Sequence, residues 1–445
     1  MSNKKTPPAN ERRRDLLKLG LGATVAAPLL SLAGNASANA IQTSAHVVIS
    51  GAGAGGLAMA NRLSRSLQGA KITLIDARQE HHYQPGWTLV ASGVWDKSKT
   101  LSKTAEWIPS GVNWLRAMVT EYDPDNNQVT LNDGQTLTYD YLIVATGVEL
   151  QYERIEGMDV NLIGQGKGIG SVYAGIEAAA KTNEEIERFI AKGSGKGVFT
   201  LSPTPIKCAG APLKMTFTTL SRLEDAGVRD RFDMHFFTPS DRVFSVDYYN
   251  DFVKQRWTEQ GLTRHDFHRL TAIDADRKEA TFTLQDGSEV KEDYDFLHVV
   301  PHMAAPQSVR ESELIFKEGP FAGNWMEVDR ETLQHTRYSN VFGIGDVMGM
   351  PFNKTAASVK MQASVLEPNI IAHIKGQPLL AKHNGYTSCP MITAVGKAML
   401  VEFGWGGELL PSFSFIDPKE ESWAVWIMKD RMLQPAYNAM LVGKV

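Results

Sequence analysis

Cysteine is almost missing from this chain: Cys208 and Cys389 are the only two in 445 residues. Two thiols cannot build a disulfide scaffold or a four-cysteine metal site. The histidine pair His81-His82 has no further ligand spaced to match it, so it reads as a polar loop with a packing role, and no metal site is expected. Long apolar runs are missing from the C-terminal end. Trp423 to Met428 is interrupted by Lys429, Asp430 and Arg431, and Met432 to Val442 contains Pro435; neither piece approaches the ~20 residues of a spanning helix. Excess positive charge is missing as well. The formal net charge is −4, and Met1 to Ala40 carries six Lys/Arg against two acids, so the remainder stands at −8. Such an acidic body argues against nucleic acid as a partner. What is present, 43% hydrophobic and 22% charged residues, suffices for the cores of two or three domains.

The first forty residues read as an address. Lys4, Lys5 and Arg12 to Arg14 precede the apolar stretch Leu16 to Leu32, and "ASANA" (Ala36 to Ala40) offers small-residue cleavage. "RRDLLK" (Arg13 to Lys18) resembles the bacterial twin-arginine export signal. That resemblance implies an enzyme exported in the folded state to the periplasmic face of the bacterial inner membrane, where a cysteine pair can stay oxidised.

"HVVISGAGAGGLAMANRL" is a β-branched run followed by Gly51, Gly53 and Gly56 in G-x-G-x-x-G spacing and then a helical pattern; Asp76 ends the next strand, 20 positions past the last glycine. Gly51 permits the tight turn, Gly53 lets backbone approach a pyrophosphate, and Gly56 allows close helix packing. The helix N-terminus offers free N–H groups to the anion, and an acid at Asp76 suits free ribose hydroxyls. "DYLIVATGVEL" ends a buried-type strand in Ala145-Thr146-Gly147, and "YSNVFGIGDVMGMP" ends another in Gly345-Asp346. These strings resemble the two-dinucleotide-domain flavoprotein reductases, which implies FAD. "LNDGQTLTYD" and "LQDGSEVKED" each read as a hairpin with an Asp-Gly turn, and two such units imply an internal duplication.

A second glycine loop is absent where the duplication calls for one. The strand "KGVFTLS" runs into Pro203, Thr204, Pro205, Ile206, Lys207 and Cys208. Prolines remove N–H donors and side chains block close approach, so a pyridine nucleotide is not expected there. Lys207, next to Cys208, could favour a thiolate by its charge or point away.

"TPIKCAGAPLKM", "GYTSCP", "LHVVPHMAAP" and "DRETLQHTRYSNVFGIGD" together resemble sulfide:quinone oxidoreductase of the kind that includes the mitochondrial enzyme, over nearly all of the chain from His46 onward. The resemblance implies a redox pair in which Cys208 is the flavin-facing thiolate and Cys389 carries the persulfide. Sulfide would be oxidised to sulfane sulfur or polysulfide and two electrons passed through FAD to a membrane quinone. FAD should be non-covalent, since no spare thiol exists to tether it. Lys354, read as beginning the helix after Gly345-Asp346, would face the flavin and stabilise its anionic reduced form. Tyr386, Phe403 and Trp405 would wall the quinone ring, and Trp423 to Val442 would lie on the membrane surface as an interfacial anchor.

The expected fold is α/β, with two Rossmann-like (FAD/NAD(P)-type) domains and a C-terminal membrane-associating segment. Residues 1–40 form the signal, 41–160 with 297–385 the discontinuous FAD domain, 161–296 the second Rossmann-like domain without an NAD loop, and 386–445 the cysteine, quinone and anchoring region. A homo-oligomer stays open. So do two other activities: an exported sulfide dehydrogenase donating to a c-type cytochrome, and an NADH:quinone reductase.

Overall fold

The computed structural model describes residues 40–445, so the signal-like segment lies outside the described residues. Short β-branched runs followed by glycine or proline turns give ten strands in two sheets. They are β1 (His46–Ser50), β2 (Lys71–Ile75), β3 (Asn113–Leu115), β4 (Tyr141–Val144), β5 (Ile169–Gly170), β6 (Gly195–Thr200), β7 (Phe232–Phe237), β8 (Leu262–His265), β9 (Phe296–His298) and β10 (Val341–Gly343). The first sheet has the order β10-β4-β1-β2-β3 and the second β5-β9-β6-β7-β8, all neighbours parallel. Val47, Val48 and Ile49 in β1 and Val198 and Phe199 in β6 are fully buried, as central parallel strands covered on both faces must be.

The two sheets repeat each other. An antiparallel meander precedes β4 in one unit and β9 in the other, residues Val119–Asp123, Gln128–Leu131 and Thr136–Thr138 in the first and Arg269–Asp274, Glu279–Thr283 and Glu289–Asp293 in the second. Both Asp-Gly turns sit where the sequence puts them, between the last two meander strands. Helices cover the sheets: α1 (Ala54–Ser66), α2 (Ile176–Ala191), α3 (Ala211–Asp225), α4 (Asp247–Glu259) and α5 (Ala356–Ile374). In each sheet the central strand feeds a loop and then a helix at the point where strand order reverses, the place where open α/β sheets bind ligands.

After α5 two short strands, β11 (Thr387–Ser388) and β12 (Glu402–Phe403), pair antiparallel. The chain ends in α6 (Trp423–Ile427), one π-helical turn over Met428–Met432, and α7 (Leu433–Leu441). No helix among the described residues is long and apolar enough to cross a membrane. This tail is packed inward: Val425, Trp426, Met428, Tyr437, Met440 and Leu441 are buried. Arg65 of α1 donates to the carbonyls of Val442 and Gly443, satisfying oxygens the end of α7 leaves free.

Candidate functional site

A cavity of about 1350 Å³ joins the β1–α1 loop, the ends of β4 and β10, both cysteines and the C-terminal tail. It exceeds the roughly 300–1,000 Å³ of an ordinary small-ligand site, leaving room for a dinucleotide and a second substrate.

The glycine loop fits a dinucleotide. Gly51 has φ +104°, and a Cβ there would stand 2.5 Å from the Ala145 carbonyl oxygen; one on Gly56 would stand 1.8 Å from the Gly51 carbonyl oxygen. At Gly53 nothing lies nearer than 4.0 Å, so the backbone is bare toward the cavity. Gly53 caps α1 without any side-chain bond, leaving the first-turn N–H groups for an anion. Thr146, which lines the cavity, keeps a buried hydroxyl without a hydrogen-bond partner among the described residues, and Gly147 lines the same wall. Asp76 accepts from the Ala52 N–H at 2.7 Å and from Arg78 Nε and Nη2 at 3.0 and 2.7 Å. Burial pushes this carboxyl up, but the Arg78 bonds outweigh it and hold Asp76 below the usual carboxylate range. Gly345, at φ +81°, donates its N–H to Gln362 Oε1, and burial pushes the neighbouring Asp346 carboxyl up.

The two cysteines, 181 positions apart in sequence, bring their Sγ atoms to 3.6 Å. Cys208 has φ +49°, a region non-glycine residues rarely adopt. Three bonds hold it there: its N–H donates to the Lys354 carbonyl, and its own carbonyl accepts from Tyr173 Oη and the Ala211 N–H. Lys214, in the first turn of α3, is buried and places Nζ 3.0 Å from Cys389 Sγ and 3.5 Å from Cys208 Sγ. The hydrogen bond from Cys208 and then, against burial, the charge of Lys214 bring Cys389 well below an ordinary thiol; donating that bond and burial push Cys208 up. Burial alone would lower Lys214, yet the two sulfurs hold it above the usual lysine range. A second buried lysine, Lys429 of the π-helical turn, donates to the Pro85 carbonyl at 2.6 Å; burial and the charge of Lys214 push it down to about 7.

Sequence reasoning missed Lys214 and considered Lys207 instead. Lys207 points away from the sulfurs, donating to Gln84 Oε1 at 2.9 Å with Nζ 5.3 Å from the centre of the Trp87 ring. Lys354 lines the cavity but lies before the helix, whose cap is Thr355. Its ammonium donates to the carbonyls of Asp346 and Met348, both at 2.7 Å, and stands 3.7 Å over Trp325; burial pushes it down to about 7. Of the three aromatic residues expected around a quinone, Tyr386 alone lines the large cavity. Phe403 packs between Phe244 and Phe352 and borders a separate cavity of about 240 Å³ that Cys389 also reaches. Trp405 packs on Phe352 and His383 and donates to the His383 carbonyl, outside both cavities, because Gly385 turns the chain beneath its ring. His81 is buried and bonds the Tyr437 hydroxyl at 2.8 Å, tying the tail to the cavity wall.

Comparison with known proteins decides what this constellation belongs to. The pyridine nucleotide-disulphide oxidoreductase family model matches residues 45–195. The chain is 35% identical over 400 residues to the mitochondrial sulfide:quinone oxidoreductase of Mus musculus, covering 89% of this chain and 86% of the mouse protein. It belongs to the sulfide:quinone oxidoreductase family. The Dictyostelium discoideum mitochondrial member is 36% identical over 401 residues, with the same 89% and 86% coverage. The solved sulfide:quinone oxidoreductase of Aquifex aeolicus shares the fold, with a TM-score of 0.72 at 20% identity over 90% of this chain and 92% of that one. The mouse and Dictyostelium relatives are mitochondrial and eukaryotic, which overturns the expected placement at the periplasmic face of a bacterial inner membrane.

Proposed function

We propose that the chain is an FAD-dependent enzyme that oxidises sulfide and passes the two electrons to a quinone. The observation that carries this reading is the thiol pair, 3.6 Å apart with a buried lysine against both sulfurs, opening into the cavity built on the glycine loop. In the oxidised form of the pair, hydrosulfide attacks Cys389 Sγ; the new sulfur–sulfur bond forms there, the Cys208–Cys389 bond breaks, and Cys208 leaves as thiolate. Lys214 reaches both sulfurs, so its charge stabilises the Cys208 thiolate and the persulfide anion on Cys389 alike. Support for the persulfide on Cys389 comes from the smaller cavity, which Cys389 lines and Cys208 does not. FAD, held non-covalently by the Gly51–Gly56 loop, Ala145–Gly147 and Gly345-Asp346, supplies the two-electron relay between the thiols and the quinone.

Anaerobic sulfide, followed by a soluble quinone, tests the reading on FAD-loaded protein. Sulfide bleaches the flavin, quinone restores it, and Cys208→Ser and Cys389→Ser each slow bleaching by more than roughly a thousandfold while keeping FAD. Unimpaired bleaching in either variant defeats the mechanism, and bleaching by NADH in place of sulfide defeats the function.

The quinone arrives from a membrane on which the C-terminal region rests. Support for this is the half-exposed Met432 and the partly exposed Phe413, Phe415 and Leu433, all on the cavity's lining. Met432→Glu with Phe413→Glu is expected to reduce flotation with liposomes severalfold without altering bleaching by sulfide. Unchanged flotation removes the membrane contact.

A further inference from the structure

One buried carboxylate in the large cavity has no part in the sulfur chemistry. Glu402, on β12 opposite Ser388 of β11, is 2% exposed and lines the cavity, yet among the described residues no lysine, arginine or histidine pairs with it. Leaving an anion there is costly unless hydrogen bonds replace its water. Three do: the Tyr386 hydroxyl and Ser412 Oγ (2.7 Å) donate to Oε1, and the Ser412 N–H (2.9 Å) donates to Oε2. Ser412 Oγ also lies 3.0 Å from the Tyr386 hydroxyl, and Ser412 is exposed. The exposed Ser412 hydroxyl and the cavity-lining Tyr386 hydroxyl therefore share Glu402 Oε1 as acceptor and lie within hydrogen-bond distance of each other, so a proton from solvent reaches Tyr386 when the Ser412 hydroxyl turns from Glu402 to it. Besides Tyr386, the titratable group that the charge of Glu402 reaches is Tyr249, from α4.

We propose that Tyr386 is the proton donor to the quinone, that Ser412 refills it from solvent, and that Glu402 is the positioning residue holding both hydroxyls in line. The inference rests on the sulfide:quinone reading above. Converting a quinone to its quinol takes two electrons and two protons; the electrons come from sulfide, and the exchange at the cysteine pair leaves the protons to be supplied at the quinone. The Tyr386 O–H bond breaks as its proton passes to a quinone oxygen, and the phenolate takes up a proton delivered through the Ser412 hydroxyl, so that one solvent proton is consumed per transfer. Burial, then the charge of Glu402, pushes the Tyr386 hydroxyl above its usual range, so it releases its proton only to a strongly basic oxygen such as that of a reduced quinone anion, and its phenolate refills readily.

Stopped-flow on the FAD-loaded protein separates the two half-reactions. Wild-type protein and the Tyr386→Phe, Glu402→Gln and Ser412→Ala variants are reduced with sulfide and then mixed with a soluble quinone, from acid to alkaline pH and in deuterated water. Tyr386→Phe is expected to slow flavin reoxidation by roughly 10²-fold, to abolish its solvent isotope effect, and to leave the sulfide half-reaction and FAD content within about twofold. Glu402→Gln and Ser412→Ala are expected to slow reoxidation less and to shift its pH profile. A merely structural role would lower both half-reactions together, or raise the quinone concentration needed while leaving the isotope effect intact; either result overturns the relay. Should Tyr386→Phe fail to load FAD, Ser412→Ala carries the test through its pH profile and isotope effect. Wild-type protein that sulfide does not reduce overturns the parent reading, whereas wild-type activity with unaltered variants overturns the relay alone.

Discussion

The loop after β1 and the loop after β6 hold the same station in two sheets that share a four-strand order, β4-β1-β2-β3 and β9-β6-β7-β8, and they are built on opposite principles. The first strips side chains away. Gly51 and Gly56 occur where any Cβ would strike a carbonyl oxygen, and Gly53 leaves the backbone bare to the cavity. The second loop puts side chains in: prolines at 203 and 205 remove N–H donors, and Cys208 takes a positive φ where glycine would be at ease. Holding a cysteine so costs of order 1–3 kcal/mol, offset by the bonds from Cys208 to Lys354, Tyr173 and Ala211. The helix that follows is altered in the same sense. No acidic or basic side chain stands in the first turn of α1, whereas the first turn of α3 carries Lys214, so an anion meets backbone N–H groups in one unit and an ammonium in the other. A shared crevice fixes where chemistry happens, and the loop that lines it decides which chemistry.

The sharpest way to break this contrast is to put a methyl group into the first loop. Gly56→Ala sets a Cβ 1.8 Å from the Gly51 carbonyl oxygen, with no flexible side chain to yield. A loss above about 3 kcal/mol is expected, with little FAD retained. Gly53→Ala meets nothing nearer than 4.0 Å, so it should keep its melting temperature as apoprotein while binding FAD roughly tenfold more weakly. Flavin content and thermal melts of the two variants check this. A fully loaded, native-melting Gly56→Ala protein would remove the steric reading of the loop.

Local patterns were legible in the sequence where the constraint is local. The glycine spacing, the strand it follows and the two Asp-Gly turns each depend on a few neighbouring residues, and the sheets formed around them. Side chains whose role depends on how elements face one another were not. Lys214 carried one faint signal, a lone lysine in the otherwise uncharged run "CAGAPLKMTFTTL", but only the packing of α3 aims it at Cys389. Lys354 was placed near the right strand, while the turn from Asp346 to Met348 takes its ammonium. The tail was legible only in part, for a related reason. Its composition does not separate the residues that fill the core, Val425, Trp426, Leu441 and the buried Lys429, from the half-exposed Met432 left at the surface.

The second loop and the helix after it offer a finer test, because Lys207 and Lys214 lie seven positions apart and only Lys214 touches sulfur. In reduced protein the Cys389 thiolate persists above a depressed pKa and is lost as pH falls through it. Lys214→Met removes one charge-assisted bond and raises that pKa, so the thiolate should appear at higher pH. Sulfide bleaching, which starts from the disulfide and releases Cys208 as thiolate, should slow by roughly 10- to 100-fold because that leaving sulfur also loses the Lys214 charge 3.5 Å away. Lys207→Met should change bleaching by less than about twofold and leave the thiolate midpoint in place, since its ammonium is spent on Gln84 and Trp87. Thiolate absorbance and alkylation rates against pH, read beside bleaching, measure both. Equal effects from the two lysines would mean that a diffuse positive field, and not the 3.0 Å contact from Lys214, sets the reactivity of the pair.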